Sequence, residues 1–289
     1  MRYTLIVAAI LMLTGVATSL HGAGLASDFG SHATSGLVGA SVLGVRLPIV
    51  SSANPRSAHP PVMLWAWEAP SRLEWIDPAK VGVAFLSETI TLSGNSLESR
   101  PRMQPLVVPP KTYRMAVVRI ERYNRNEPSL SEHQLDGLVY RVLRRAKESR
   151  ADAIQIDFDA RKSEREFYSK FLTRLRKDLP APTALSMTAL ASWCIGDGWL
   201  DELSVDEIVP MFFSMGVDKE QVLMHLRDKG TVRAYGKRLG IGIADDSEMN
   251  DALANCRARG VVRESSLYLF SGRAWTEVKA RRLLAWMGM

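Results

Sequence analysis

The sequence predicts a (β/α)8 TIM-like barrel, a single α/β domain with an irregular second unit, from three observations. Eight short apolar runs recur from Val62 onward. Amphipathic helical stretches fall between most of them, and three consecutive runs each carry one polar face. Strands alternating with helices argue for a parallel sheet, and eight repeats allow it to close. An open doubly wound sheet is the alternative, but no Gly-x-Gly-x-x-Gly follows any run to cradle a dinucleotide, and no cofactor is expected.

Taken in order, residues 1–26 place Arg2 before an apolar run from Leu5 to Val16, followed by small residues ending at Ala26. That run falls short of the roughly 20 residues a spanning helix needs and fits a cleaved secretory signal peptide. The protein is therefore expected to be periplasmic or secreted, with no membrane contact beyond the export signal; an uncleaved N-terminal anchor is the competing reading. Residues 27–61, rich in Ser, Gly and Ala with scattered Pro, read as a flexible linker. Residues 62–289 form the barrel domain.

Its strands are expected at Val62 to Trp67, Val81 to Leu86, Met115 to Ile120, Ala153 to Phe158, Leu185 to Leu190, Glu207 to Phe212, Leu239 to Ala244 and Ser266 to Phe270. Helices are expected at Ser131 to Ser149, Ser163 to Asp178 with Ser163 as N-cap, Lys219 to Lys229, Ser247 to Ala258, and Trp275 to Trp286. Between the second and third strands, Thr89 to Thr112 contains Gly94-Asn95 and several prolines. It reads as a hairpin or extended excursion rather than a helix.

Composition narrows the functional class. The formal charge is +6, and loss of residues 1–26 lowers it by one. The densest basic cluster, Arg141, Arg144, Arg145, Lys147 and Arg150, sits at helical spacing without interleaved aromatics, so it reads as a solvated helix face and no nucleic-acid partner is expected. The five histidines, His21, His32, His59, His133 and His225, all fall away from the predicted strand ends. A histidine triad, a metal-dependent deacetylase or a multi-histidine metal site is thereby disfavoured. Cys194 follows the fifth strand but has no histidine base, and it and Cys256 are expected to be free thiols.

Acid and base chemistry then falls to carboxylates. Side chains alternate along a strand, so on the fourth strand Ile154, Ile156 and Phe158 share one face while Gln155, Asp157 and Asp159 share the other. Ionised carboxylates are too costly to bury without partners or water, so the acidic face is expected to look into the barrel mouth. On the neighbouring strands Arg119 and Glu121, and Ser186 and Thr188, share the equivalent face. Asp159, Asp157 and Glu121 are thus the catalytic candidates, since two carboxyls, one protonated and one ionised, are what glycoside cleavage needs. Glu68, Arg119, Gln155, Arg161, Thr188, Trp193 and Trp275 are the substrate-binding candidates. The structural alternative is a satisfied polar core in which Arg119 pairs with Asp157. A divalent cation held by Asp157, Asp159 and Glu121 has suitable oxygen ligands but no supporting loop motif, so no metal is assigned. Trp65, Trp67, Trp193, Trp199 and Trp275, with Phe212 and Phe213, lie at or beyond strand ends and suit the flat faces of sugar rings. One of Trp65 and Trp67 is expected to pack between barrel and helices instead.

Two motifs, Gln155 to Arg161 continuing through Ser163-Glu164-Arg165 and Phe167-Tyr168, and Ala189 to Cys194 continuing through Gly196-Asp197 and Trp199-Leu200, resemble those of an uncharacterised bacterial family of exported proteins. Met63 to Glu68, Val81 to Leu86 and Val209-Pro210-Met211 extend the resemblance over roughly Val62 to Trp275. More distantly, the fourth strand is similar to the Asp-x-x-Asp-x-Asp-x-Glu signature of chitinase-like glycoside hydrolases of family eighteen. That pattern falls here on Asp152, Gln155, Asp157 and Asp159, with Asp at the position of the general acid. The Met-x-Tyr-Asp of those enzymes' sixth strand is replaced by Met211-Phe212-Phe213-Ser214. The resemblance implies an exported, glycoside-hydrolase-like barrel acting on or binding a cell-envelope or extracellular glycan. A non-catalytic glycan-binding or assembly protein on a degenerate barrel is the alternative, so whether the chain is an enzyme stays open at this point.

Overall fold

The computed structural model describes residues 59–289, apart from 197, 231, 234, 235 and 263 and the side chain of 247. The expected export signal at 1–26 and the linker up to residue 58 lie outside the described residues.

Eight strands run parallel: β1 (Val62–Ala66), β2 (Val81–Ser93), β3 (Arg114–Arg122), β4 (Ala153–Asp157), β5 (Ala184–Leu190), β6 (Glu207–Met211), β7 (Arg238–Ile243) and β8 (Ser266–Leu269). Each pairs with its sequence neighbour, and β8 pairs back onto β1, with Val62 beside Leu267 on one side and Val81 on the other. The sheet therefore has no free edge within the ring, and every barrel strand has a paired neighbour on each side.

The outer layer consists of α1 (Glu132–Ser149), α2 (Arg165–Asp178), α3 (Lys219–Asp228), α4 (Ser247–Ala258) and α5 (Glu277–Trp286). Ser131 caps α1, its hydroxyl accepting from the Gln134 N–H. The alternation read from the fourth strand holds: Ile154, Ile156 and Phe158 pack outward with Leu138, Val142, Phe171 and Leu175 of α1 and α2. Ser163 is not the cap of α2. Lys162–Glu164 form a single 3-10 turn, and the Glu164 carboxylate accepts from the Arg161 N–H at 2.6 Å and from Arg122 Nη1 at 2.9 Å. A charged acceptor with two donors outcompetes a hydroxyl there.

The second unit is irregular, as expected. A bulge between Leu86 and Glu88 shifts the β2 register, so buried Glu88 and then Ile90 and Leu92 turn towards α1, where Arg145 pairs with Glu88 at 2.8 Å. β2 then turns at Gly94, whose φ of 50° suits glycine, and returns as the antiparallel strand Ser96–Pro101. After β5 come only short 3-10 turns, Ala191–Cys194 and Trp199–Glu202.

Inside the ring, β1 and β8 supply bulk and β7 supplies room. Met63, Trp65, Met115, Val117 and Tyr268 fill the interior. A Cβ at Gly240 would lie 2.8 Å from the Tyr268 ring, and one at Gly242 would lie 2.9 Å from the Trp65 ring. Only glycine lets these aromatics lean across β7 at native packing density.

Candidate active site

Above that packing, at the C-terminal ends of the strands, lies a cavity of about 320 Å³, at the small end of the range for ligand sites. The end of β4 sets Asp157, and the residues just past it Asp159, into its wall, β3 adds Arg119, and β5 adds Thr188 and Leu190. Trp65 from β1, Trp67 just beyond it, Met211 from β6 and Phe213 and Phe270 just beyond β6 and β8 face them. The segment after β6 closes the rim with Ser214, Met215 and Asp218. Ser214 holds a left-handed backbone, φ 53°, a conformation that costs a non-glycine residue on the order of 1–3 kcal/mol.

Asp157 is buried and accepts a hydrogen bond from Thr188 Oγ1 at 2.7 Å. Burial raises its carboxyl above the ordinary range, while the Arg119 charge and the Thr188 bond oppose the shift. Asp159 is exposed to the cavity yet ringed by protein on its other sides. That enclosure, reinforced by the Asp157 charge and opposed by Arg119 and Arg122, pushes its carboxyl up to about 6. Arg119 does not pair with Asp157. Its Nε meets Glu121 Oε1 at 2.8 Å and its guanidinium lies 5.5 Å from the Trp67 ring centre.

Several expected site residues lie elsewhere. Glu121 is turned to Arg119 and does not line the cavity. Gln155 is fully buried below it, accepting from Trp65 Nε1 at 2.8 Å and donating to Ser186 at 3.0 Å, so it holds the Trp65 ring rather than a ligand. Glu68 is exposed and paired with Arg100 at 2.7 Å, and Arg161 points to Glu127 at 3.1 Å. Trp193 is buried in the helical layer, edge-on to Trp199. Trp275 is buried too, donating to the Trp65 carbonyl at 2.8 Å. Conversely, Trp65 on β1 and Trp67 just past its end both line the cavity, because the chain continues the strand's alternation. Cys194 and Cys256 are free and buried, and burial pushes the Cys194 thiol up to about 12, away from nucleophilic use. Among the described residues no group of three or more His, Cys, Asp or Glu is placed to hold a metal ion, and Glu121, the third oxygen ligand considered for a cation, pairs with Arg119 instead.

Fold and site together define a closed (β/α)8 barrel with a carboxyl pair at an aromatic-lined mouth. No known family model matches the chain, and no curated protein matches it. Among solved structures it is similar to the spore cortex-lytic enzyme SleL of Bacillus cereus, at 17% identity and a TM-score of 0.41 over 65% of this chain and 51% of that one. The chain thus spans about half the length of SleL. It is also similar to a GH113 beta-1,4-mannanase, at 9% identity and a TM-score of 0.47 over 80% of this chain and 99% of that one. A family GH18 chitinase catalytic domain from the fern Peteris ryukyuensis gives 11% identity and a TM-score of 0.45 over 77% and 99%.

Proposed function

We propose that this chain is an exported glycoside-hydrolase-like barrel that acts on a glycan of the cell envelope or its surroundings, with Asp159 as the acid and Asp157 as the carboxylate that tunes it. The observation that carries the reading is the carboxyl pair, Asp157 at the end of β4 and Asp159 two residues beyond it, open to a cavity whose far wall is aromatic. A carboxyl raised to about 6 stays partly protonated near neutral pH and can give its proton to a leaving glycosidic oxygen. Asp157, buried and held by Thr188 near Arg119, is the neighbouring carboxyl whose charge helps to raise Asp159. In this reading residues 1–26 are the export signal and the mature chain begins near Ser27, which N-terminal sequencing of envelope protein checks.

A second reading has its own support. The end of β6 presents Met211 and Phe213 to the cavity, with neither a phenol nor a carboxylate to position a reacting sugar. That favours a binding or assembly protein on the same barrel. A screen of envelope glycans for new reducing ends, wild type against Asp159→Asn, separates the two. Loss of turnover on the order of 10²–10⁴-fold with binding retained supports the acid role. Saturable binding without cleavage, unchanged in Asp159→Asn, would leave only the binding protein.

A further inference from the structure

The strand order divides the mouth into two arcs. β3, β4 and β5 stand side by side and their C-terminal ends carry Arg119, Asp157, Asp159 and Thr188, while Trp65 and Trp67 at the end of β1 and Phe213 and Phe270 just beyond β6 and β8 supply the aromatic groups. On the aromatic arc Phe213 and Phe270 stack in parallel at 4.8 Å, and Trp67 meets Phe270 edge-on at 6.0 Å. A ring face presents the negative side of its quadrupole, which attracts cations.

The charges add to this. Asp157, Asp159 and Asp218 line the cavity against a single guanidinium, that of Arg119. Arg119 is already engaged by Glu121 and by the Trp67 face. No ion pair to Asp218 is found among the described residues, although it stands at the cavity rim just before α3. Even with one proton shared between Asp157 and Asp159, the lining stays negative.

A neutral sugar would fill this cavity without using its charge. We infer that the site takes a sugar bearing a free amino group, so that the glycan is built at least partly from hexosamine without its N-acyl substituent. The ammonium is received at the Asp218 side of the rim, where a charge-assisted hydrogen bond to the carboxylate is available, and the sugar's apolar face lies against the aromatic arc. This inference rests on the glycan reading above and names its substrate class.

Calorimetric titration of the full-length mature protein with β-1,4-linked oligomers of glucosamine, N-acetylglucosamine and glucose, matched in length, tests it. The glucosamine oligomer should bind about tenfold more tightly than the other two, a ratio equivalent to about 1.4 kcal/mol. Raising the ionic strength and substituting Asp218→Asn should each shrink that ratio, while Asp218→Glu keeps it. Thermal melts of both variants confirm that they fold. Equal or tighter binding of the N-acetylated or neutral oligomer overturns the amino-sugar inference and leaves the glycan reading standing. Failure of all three oligomers to bind folded wild type overturns the two together.

Discussion

Asp159 has a consequence for stability as well as for chemistry. Its folded pKa of about 6 lies above the ordinary carboxylate value of about 3.9, so the folded state holds a proton that the unfolded chain has released. The stability this proton contributes is fully present below the unfolded pKa and is lost as pH rises through about 6. Asp159→Asn, which cannot ionise, should therefore melt at a higher temperature than wild type above pH 6, with the gap closing as pH falls to about 4. A pH series of thermal melts checks this, and a wild type more stable than the variant at neutral pH would contradict it. The face taken by Asp157 was legible in the sequence because alternation decides it, and Asp159, just past the end of β4, keeps to the same side at the mouth. Its neighbours' partners were not. Thr188 reaches Asp157 across the β4–β5 register, and Arg119 prefers Glu121 on its own strand, and neither choice follows from periodicity. Asp218 escaped notice because it sits in a turn beyond β6, where no pattern fixes direction.

Among the strands, β7 shows how a sequence without side chains shapes a site. Gly242 leaves the space into which the Trp65 ring extends, and Trp65 with its Gln155 bond forms the cavity floor. Gly242→Ala would bring a methyl to 2.9 Å from that ring and 3.1 Å from the Pro210 carbonyl oxygen, which is backbone and cannot yield cheaply. The expected cost is about 1–3 kcal/mol in denaturant unfolding, with weakened ligand binding because the floor ring is displaced. An unchanged unfolding midpoint would show that Trp65 can move aside freely. All eight strands and the five longer helices were visible as periodic runs, with ends shifted by a residue or two except for β2, where the bulge and hairpin carry the strand on to Ser93. The tryptophans divide on the same physical ground. Trp65 on β1 and Trp67 just past its end follow the strand's alternation, while Trp193 and Trp275 lie in connecting segments, where packing alone decides that they are buried.

The barrel also has a floor, and the chain that enters there belongs to the body rather than to a tether. His59, expected at the end of the flexible linker, is buried with its Nε2 2.7 Å from Glu207 Oε1, and the Tyr268 hydroxyl donates to Glu207 Oε2 at 2.6 Å. Composition hid this, since a single histidine among prolines and serines carries no period. Removing the imidazole leaves the buried Glu207 carboxylate short of a partner, a loss on the order of 1–3 kcal/mol. His59→Ala should accordingly lower the unfolding midpoint, and a chain beginning at Val62 should do the same. A melt indistinguishable from wild type in both would mean that the floor contact contributes nothing. Parallel strands give the barrel a front and a back: His59 enters at the back, where the strands begin, and the cavity opens at the front, where they end. A change at His59 acts at the end of the barrel opposite the cavity, so its cost in stability is expected to leave ligand affinity at the mouth unaltered.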